Sequence, residues 1–544
     1  MNTILRISAL VCALLLAACT SMTPMTTRPA GWAAPEVLVA PSAFSGVHGL
    51  AVDARGRLLA GSVVGYSMWE VDRNNGVAKV FIGAPEGQAD DIAVGPKGEL
   101  AWTNYLMGML RYREDDAAPM RVLAKDLPGL NSVDFDRRSG KLYASQVFLG
   151  DALWEIDVAG QKPPRLIAKD MGGFNGFEVG PDGMLYGPLW FKGQVVKIDP
   201  ADGRITVINA EFKTPAAANL DGKGNLWVVD TRTGELCRVD LATGRKTVVR
   251  QMKTALDNLA IAPDGMIYVS NMADNSVEAY NPATGESRML TSGKVAVPAG
   301  MKLDGTTLWV ADIFGFRQVD TRSGDVKDVF RMQASDMEYP FAVGLSARQF
   351  ALSSWFTGTV QLIDRATLKT SAMVHGLKAP FDAIPLDDGS VLVAEIATGT
   401  ISRVGAAEPH AKTLVADGLA GPVQMVLGRD GAIYVTEAAG KLTRVALADG
   451  RKTTLADNLA LPEGLAQTPW GTFVVAETAA ARLTEIDPVT GTRRSVAEKL
   501  PIGMPAGPGM PPPYVVTGVA VGSDGSVYVS ADRNNAIYRI RAQR

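Results

Sequence analysis

From Val47 to the C-terminus, polar and apolar positions recur in a fixed order. A polar residue and a glycine precede a short apolar run, a turn follows, and further apolar runs with Tyr, Trp or Val come after it. GVHGLAVDARGRLLAGS from Gly46, NGFEVGPDGMLYGP from Asn175, DNLAIAPDGMIYVSN from Asp257 and EGLAQTPWGTFVVAE from Glu463 are four of twelve copies. The apolar runs are β-branched or aromatic and are divided by turn chemistry such as Pro263-Asp264-Gly265, Asp202-Gly203, Ala283-Thr284-Gly285 and Asp449-Gly450. That pattern belongs to strands, since a helical period is absent. Four strands in roughly forty residues is the size of one propeller blade. The chain therefore predicts an all-β fold, a β-propeller of twelve four-stranded blades. Propellers typically close with roughly four to eight blades. Two six-bladed rings are expected, with one twelve-bladed ring as the alternative.

The expected rings span residues 35–295 and 296–544, with the seam near Gly293–Val297. The last copy stops after its third strand, Ile537-Tyr538-Arg539-Ile540, while an orphan apolar run, Val37-Leu38-Val39-Ala40, precedes the first copy. Placing the segment 36–40 on the outer edge of the last blade would cover an open strand edge and latch the second ring. Pro501 to Pro513, dense in Pro, Gly and Met, interrupts the period and reads as a long loop on one face of the second ring.

Composition adds a processing signal. Arg6, the apolar run Ile7–Leu16 and the sequence Leu16-Ala17-Ala18-Cys19 resemble a bacterial lipoprotein signal peptide over residues 1–18, with Cys19 as the lipidated residue. The run is too short for a comfortable membrane span. Thr20 follows the cysteine, which by resemblance to lipoprotein sorting places the protein on the periplasmic face of the outer membrane, anchored in the cell envelope by lipid only. Residues 19–34 read as a flexible tether. Beyond Cys19 only Cys237 remains, so no internal disulfide is expected. A formal net charge of −3 gives no footprint for nucleic acid.

In a propeller the innermost strand of each blade lines the axis. The position before the Gly-Leu-Ala-Val stretch reads His48, Asp90, Asn131, Asn175, Ala216 and Asp257 in the first half, and Ala299, Phe341, Phe381, Val423, Glu463 and Thr517 in the second. The first axis gathers oxygen-bearing groups and the second is mostly apolar. Mixed Asp and Asn donors suit Ca²⁺ better than Zn²⁺. One reading is a Ca²⁺ held by Asp90, Asn131, Asn175 and Asp257, with Asp91 or Asn258 in or beside its shell; the other is a water-filled polar channel. At the ends of the second strands lie Asn104, Tyr105, Phe148, Trp190 and Phe191, an apolar rim suited to a small molecule or ordinary packing between blades. In the second half the same positions carry Asp312, Ser354, Glu395, Glu437 and Glu477, with Glu463 nearby. They read as solvated acids or as a second cation site. No Gly-x-Ser-x-Gly elbow, phosphate loop or His-Glu-x-x-His helix is present.

The phrases Val47-His48-Gly49, Asp90-Asp91, Asn175-Gly176 and Leu256-Asp257-Asn258-Leu259 resemble the six-bladed superfamily of SMP-30/gluconolactonases, paraoxonase-type lactonases and strictosidine-synthase-like proteins. NHL-repeat and virginiamycin-lyase-like propellers share the general look of the repeat. The resemblance covers about residues 40–295. It implies a central Ca²⁺ and a lactonase-like hydrolase of small cyclic esters, with His48 as general base or as a plain channel-lining residue. The His-Gly copy precedes the acidic pair, and the fifth copy, with Ala216, supplies no ligand; both depart from the family order. The alternative function is a non-catalytic binding or scaffold propeller that engages a lactone, a sugar-like ligand or an envelope protein.

Overall fold

The computed structural model describes residues 27–543 except 406, 408, 509 and 511. The signal segment 1–18, Cys19 and most of the tether lie outside the described residues. Among the described residues no helix is long and apolar enough to cross a membrane.

Twelve four-stranded antiparallel sheets follow one another along the chain. In blade one the strands are Val47–Val52, Leu58–Ser62, Ser67–Val71 and Ala78–Ile82, running from the axis outward. Burial follows this order. The second strand, Leu58–Ser62, is wholly buried, whereas the outer strand, Ala78–Ile82, is largely open to solvent. Apolar side chains fill the space between neighbouring blades: Ala93, Ala101 and Leu110 of one blade meet Val133, Leu142 and Ala144 of the next. This sheet-on-sheet burial is the main cohesive term of the fold.

The blades close as two rings. The innermost strand of blade six, Leu256–Ile261, packs against that of blade one, and the innermost strand of blade twelve, Val519–Val521, packs against that of blade seven, Pro298–Asp304. The outermost strand of blade twelve is Glu36–Val39, paired with Ala536–Ile540. The latch sits where the orphan run placed it. Residues 28–32, read as the end of a flexible tether, are instead docked. Gly31–Trp32 pairs with Ala542–Gln543, Arg28 bonds Glu485 at 3.0 Å, and Trp32 packs on Trp470 with ring centroids 6.0 Å apart.

Because the latch precedes ring one in sequence and belongs to ring two, the chain crosses between the rings twice, near Ser42 and near Ala296. Two asparagines hold the crossings together. Asn275 donates to Ala296 O at 2.8 Å and to Ser42 Oγ at 3.2 Å, and accepts from Gly46 N at 2.8 Å. Asn535 donates to Ser42 O at 3.1 Å and to Phe44 O at 3.2 Å. Next to them lies a buried charge network. Arg317, 1% exposed, pairs with Asp312 at 2.5 Å and with Asp328, and donates to Ala273 O across the ring boundary. Arg331 pairs with Asp274 of ring one at 2.9 Å. Val64, Tyr66, Ala255 and Met272 of ring one merge with Ile313, Phe314, Phe341 and Tyr514 of ring two in one apolar layer.

The acids of ring two are neither solvated nor a cation site. Asp312, Glu395, Glu437 and Glu477 are buried. Each accepts backbone N–H groups from the loop that enters its own blade: Val297 on Asp312 at 2.5 Å, Lys378 on Glu395 at 2.7 Å, Ala420 on Glu437 at 2.5 Å and Ala460 on Glu477 at 2.8 Å. On the ring-two axis Phe381 and Val423 form a plug with Val516.

Two outcomes follow. Asn275→Ala removes three hydrogen bonds, two of them buried, at a residue with φ of 45°. It should lower unfolding stability by about 2–4 kcal/mol in a denaturant titration, more than Asn458→Ala, an exposed-turn control at φ 52°. Glu463 contributes to the pH dependence of ring two, beside Asp382 and Asp532. Its Oε2 accepts from Thr517 N at 2.7 Å, and its Oε1 lies 2.9 Å from Thr478 Oγ1. The single hydroxyl hydrogen of Thr478 is directed to Leu461 O at 2.9 Å, so Glu463 supplies the proton of the remaining bond. Burial pushes its carboxyl up to about 8 from 4.5. Between these values the unfolded chain has lost the proton and the fold has kept it, so stability falls as pH rises from 4.5 and levels off above about 8. Glu463→Gln, which keeps both hydrogen bonds, should raise the melting temperature at pH 9 and leave it nearly unchanged at pH 4.

Candidate functional site

The innermost strands bring the predicted axial residues of ring one together. His48, Asp90, Asn131, Asn175 and Asp257 line a single cavity of about 100 Å³. The glycines that follow His48 and Asn175 have a steric reason. A Cβ on Gly49 would lie 2.6 Å from Asp90 O and 2.7 Å from Asp91 Cα, so only glycine lets adjacent inner strands approach this closely. Ala216 is buried in the core between blades five and six and offers no polar group.

Asp90 and Asp257 are the unusual members. Neither carboxylate has a hydrogen bond or ion pair with any described residue, and both face the cavity. Burial, then the charges of Asp257 and Asp91, hold Asp90 well above the ordinary carboxylate range. Burial also raises Asp257, with the neighbouring His48 offsetting part of it. Two like charges lining one cavity call for a proton or a counter-ion. The amide oxygens are only partly used: Asn175 Oδ1 accepts from Gly176 N at 3.0 Å, and Ser132 Oγ lies 2.9 Å from Asn131 Oδ1 and 3.1 Å from Asn175 Oδ1. The single Ser132 hydroxyl hydrogen serves one of the two, so at least one amide oxygen keeps a free lone pair. Two carboxylates and two amide oxygens fit a hard, oxygen-seeking cation. Among the described residues no three His, Cys, Asp or Glu side chains form a metal cluster by themselves, so a cation here depends on the amides.

His48 Nδ1 lies 2.9 Å from Gly46 O. A carbonyl only accepts, so in the neutral ring Nδ1 carries the proton and Nε2 keeps its lone pair. The ring stands edge-on to Phe314, a residue of ring two, with centroids 5.5 Å apart. Gly46, at φ 71°, makes room for that phenyl, since a Cβ there would sit 2.3 Å from it.

Asp91 and Asn258 do not join the other four axial ligands. Asp91 accepts from Val133 N at 3.2 Å, Ile92 N at 2.9 Å and Asn258 Nδ2 at 3.1 Å. Both residues line a second cavity with Asp134 and Glu178. They are inter-blade braces. Asp134 likewise accepts from Val179 N, and Glu178 from Leu220 N, each at 2.7 Å and each in the next blade. Burial pushes Asp91 up to about 8, Asp134 to about 6 and Glu178 to about 7.

Of the predicted rim, Tyr105, Phe148 and Trp190 line the site cavity. Phe148 meets Trp190 edge-on at 5.2 Å. Asn104 does not line it: fully buried, it accepts from Arg111 Nε at 2.6 Å and ties its amide to Gln88 O. Phe191 is 60% exposed and flanks Phe148 from outside at 5.6 Å. The opposite wall comes from ring two: Phe314, Tyr339, Phe341, Trp355 and Phe356, with Tyr514 from the long loop. Trp355 donates to Tyr514 O at 3.0 Å and stacks on Phe381 at 6.0 Å. The second ring thus roofs the polar axis of the first. The aromatics Phe314 and Trp355-Phe356 occupy the same turn between second and third strands as Tyr105, a visible signal whose meaning needs the placement of one ring over the other.

The metal reading has a direct outcome. In EDTA, Asp90→Asn removes one of two unpaired like charges and should raise the melting temperature, more at pH 8 than at pH 5, because the raised carboxyl costs stability as pH rises through its folded value. In the wild type, Ca²⁺ at one hundred times Kd should add about 2.7 kcal/mol, and Asp90→Asn should abolish that gain in differential scanning calorimetry.

No protein-family model matches the chain, and no curated protein matches it in sequence. Among solved structures it is similar to a streptogramin B lyase, at 14% identity over 60% of this chain and 93% of that one, with a TM-score of 0.25. It is similar to virginiamycin B lyase from Staphylococcus aureus at 14% identity, 60% and 94% coverage and a TM-score of 0.25. It is also similar to the extracellular domain of a hybrid two component system from B. thetaiotaomicron, at 11% identity, 94% and 79% coverage and a TM-score of 0.34. At these values the likenesses carry nothing about activity, and the β-propeller fold rests on the chain's own sheet topology: twelve blades closed as two six-membered rings.

Proposed function

We propose that this protein is an exported lipoprotein, anchored through Cys19 at the periplasmic face of the outer membrane, that binds Ca²⁺ on the axis of its first ring and hydrolyses small neutral cyclic esters in the cleft between its rings. The observation that carries the reading is the pair Asp90, buried, and Asp257, half-buried: carboxylates with no hydrogen bond or ion pair among the described residues, at the polar end of an aromatic cavity. The lipoprotein assignment is supported by the N-terminal pattern ending in Ala17-Ala18-Cys19.

Asp90, Asn131, Asn175 and Asp257 would hold the cation. When bound, it would supply Lewis-acid polarisation of an ester carbonyl. The other roles belong to the chain's own groups. His48, fixed by Gly46 O, presents Nε2 to the cavity as base for a water. Phe148, Trp190, Phe314 and Trp355 exclude bulk water and grip an apolar ester body. Among the described residues no Lys or Arg lines the cavity.

A second reading is a binding or scaffold propeller without turnover. Exposed aromatics at the mouth favour it: Phe148 is 43%, Phe191 60% and Phe356 36% exposed, a surface that a ligand or an envelope protein could cover. One experiment divides the two. Mature protein is assayed on aliphatic and sugar lactones with and without EDTA. The hydrolase reading expects metal-dependent turnover that falls roughly 10²-fold or more in His48→Ala, with Ca²⁺ stabilisation intact. No turnover on any lactone, with Ca²⁺ bound, leaves the binding reading.

A further inference from the structure

The second ring carries a polar group that its apolar axis did not announce. Tyr339 lies in the loop between Val326–Arg331 and Ala342–Leu345 and lines the same cavity as His48, Asp90 and Asp257. Its backbone is held at φ 33°, and Gln333, earlier in the loop, at φ 65°. A bulky residue rarely adopts such a conformation, and strain of this kind persists where the surroundings enforce it. Ring one helps enforce it. Arg232 donates to Gln333 O at 3.0 Å, and Arg331, at the loop's start, donates to Thr254 O and pairs with Asp274, each at 2.9 Å. Phe314 and Phe356 flank the Tyr339 ring at 6.3 and 5.6 Å.

Its hydroxyl makes no hydrogen bond with a described residue. Tyr105, from ring one, is in the same position: cavity-lining, largely buried, with a hydroxyl that has no partner among them. Burial and the nearby Asp90 and Asp257 push the Tyr339 phenol up to about 12, and burial, Tyr339 and Asp90 push Tyr105 up further. Both therefore stay protonated. Two hydroxyl donors, one from each ring, converge over the carboxylate pair, and a buried phenol ordinarily finds an acceptor. Here an occupant of the cleft that carries a carbonyl oxygen would supply one.

We infer that Tyr339, together with Tyr105, is a specificity-determining residue that donates a hydrogen bond to the carbonyl oxygen of a neutral ester, so that the second ring selects carbonyl-bearing ligands for the axis of the first. This rests on the hydrolase reading above. The assignment disfavours hydrocarbons of the same shape, which would strand both hydroxyls.

The test compares δ-decanolactone with 2-pentyltetrahydropyran, which keeps the ring oxygen and the tail but lacks the carbonyl. Binding to the full mature chain is followed before turnover by stopped-flow tryptophan fluorescence, since Trp190 and Trp355 line the cleft. The wild type should prefer the lactone by roughly tenfold. Tyr339→Phe should cut that preference roughly three- to tenfold with ether affinity and melting temperature unchanged, and Tyr105→Phe should shift it in the same direction. If the wild type prefers the lactone and both variants keep the full preference, or if Tyr339→Phe weakens ether and lactone alike, the inference is overturned while the hydrolase reading stands. If the wild type binds both compounds equally, the inference is overturned; if it binds neither and turns over no lactone, the hydrolase reading falls and the inference falls with it.

Discussion

The outer strand of the last blade comes from the beginning of the chain, and every later feature depends on that pairing. Glu36–Val39 is laid against Ala536–Ile540, so ring one is an insertion between the latch of ring two and its first blade. A ring joined to its neighbour by one linker could swing freely. Here two crossings run side by side, stapled by Asn275 and Asn535 and backed by Arg317, Arg331, Asp274 and Asp312. Breaking a buried pair of this kind typically costs about 3–5 kcal/mol. The cleft between the rings is therefore a built feature with a defined width, and Tyr339 and Phe314 can be positioned over His48 and Asp90 without belonging to the same ring.

Within that frame the axis of ring one works against stability. Elsewhere in the molecule buried acids are matched: Asp312 by Arg317, Glu395 by Lys412, Glu477 by Arg482, and Asp91, Asp134 and Glu178 by backbone N–H groups of the next blade. Asp90 and Asp257 alone among the axial acids lack such a match. A fold that satisfies buried carboxylates so regularly, yet leaves two unsatisfied at one end of a cavity, departs from its own rule where a ligand would be placed.

The repeat made the fold legible, because twelve copies report the same alternation of strand and turn and errors in any one are outvoted. It also made the axial residues legible: His48, Asp90, Asn131, Asn175 and Asp257 occupy one repeat position and meet in one cavity. What periodicity could not separate were adjacent residues along one inner strand. Asp91 and Asn258 follow their neighbours by one position, yet they line the second cavity, where they bond each other and brace blades. Asn104 and the ring-two acids share the last position of the second strand; there the side chain turns back to cap the incoming loop, and composition alone reads it as a solvated or ligating group. Tyr339 sits in a loop outside the repeat, so nothing periodic marks it. Its role depends on the facing of the two rings, which is set by tertiary contacts between residues as distant as Arg232 and Gln333.

The two rings can then be understood as one design used twice with opposite outcomes. Asp90 in blade two and Phe341 in blade eight hold the same axial position, yet both line the shared cavity, one as charge and one as wall. Plugging the second axis with Phe381 and Val423 removes any need for polar satisfaction there. It frees that ring's upper turns to carry aromatics outward against the first. Covering the first axis in turn lowers its local dielectric, which strengthens the repulsion between Asp90 and Asp257 and the pull on any cation or hydrogen-bonding ligand between them. The apolar character of ring two is thus part of the chemistry of ring one: without the roof, water would screen the two carboxylates and the site would lose the tension that makes it select an occupant.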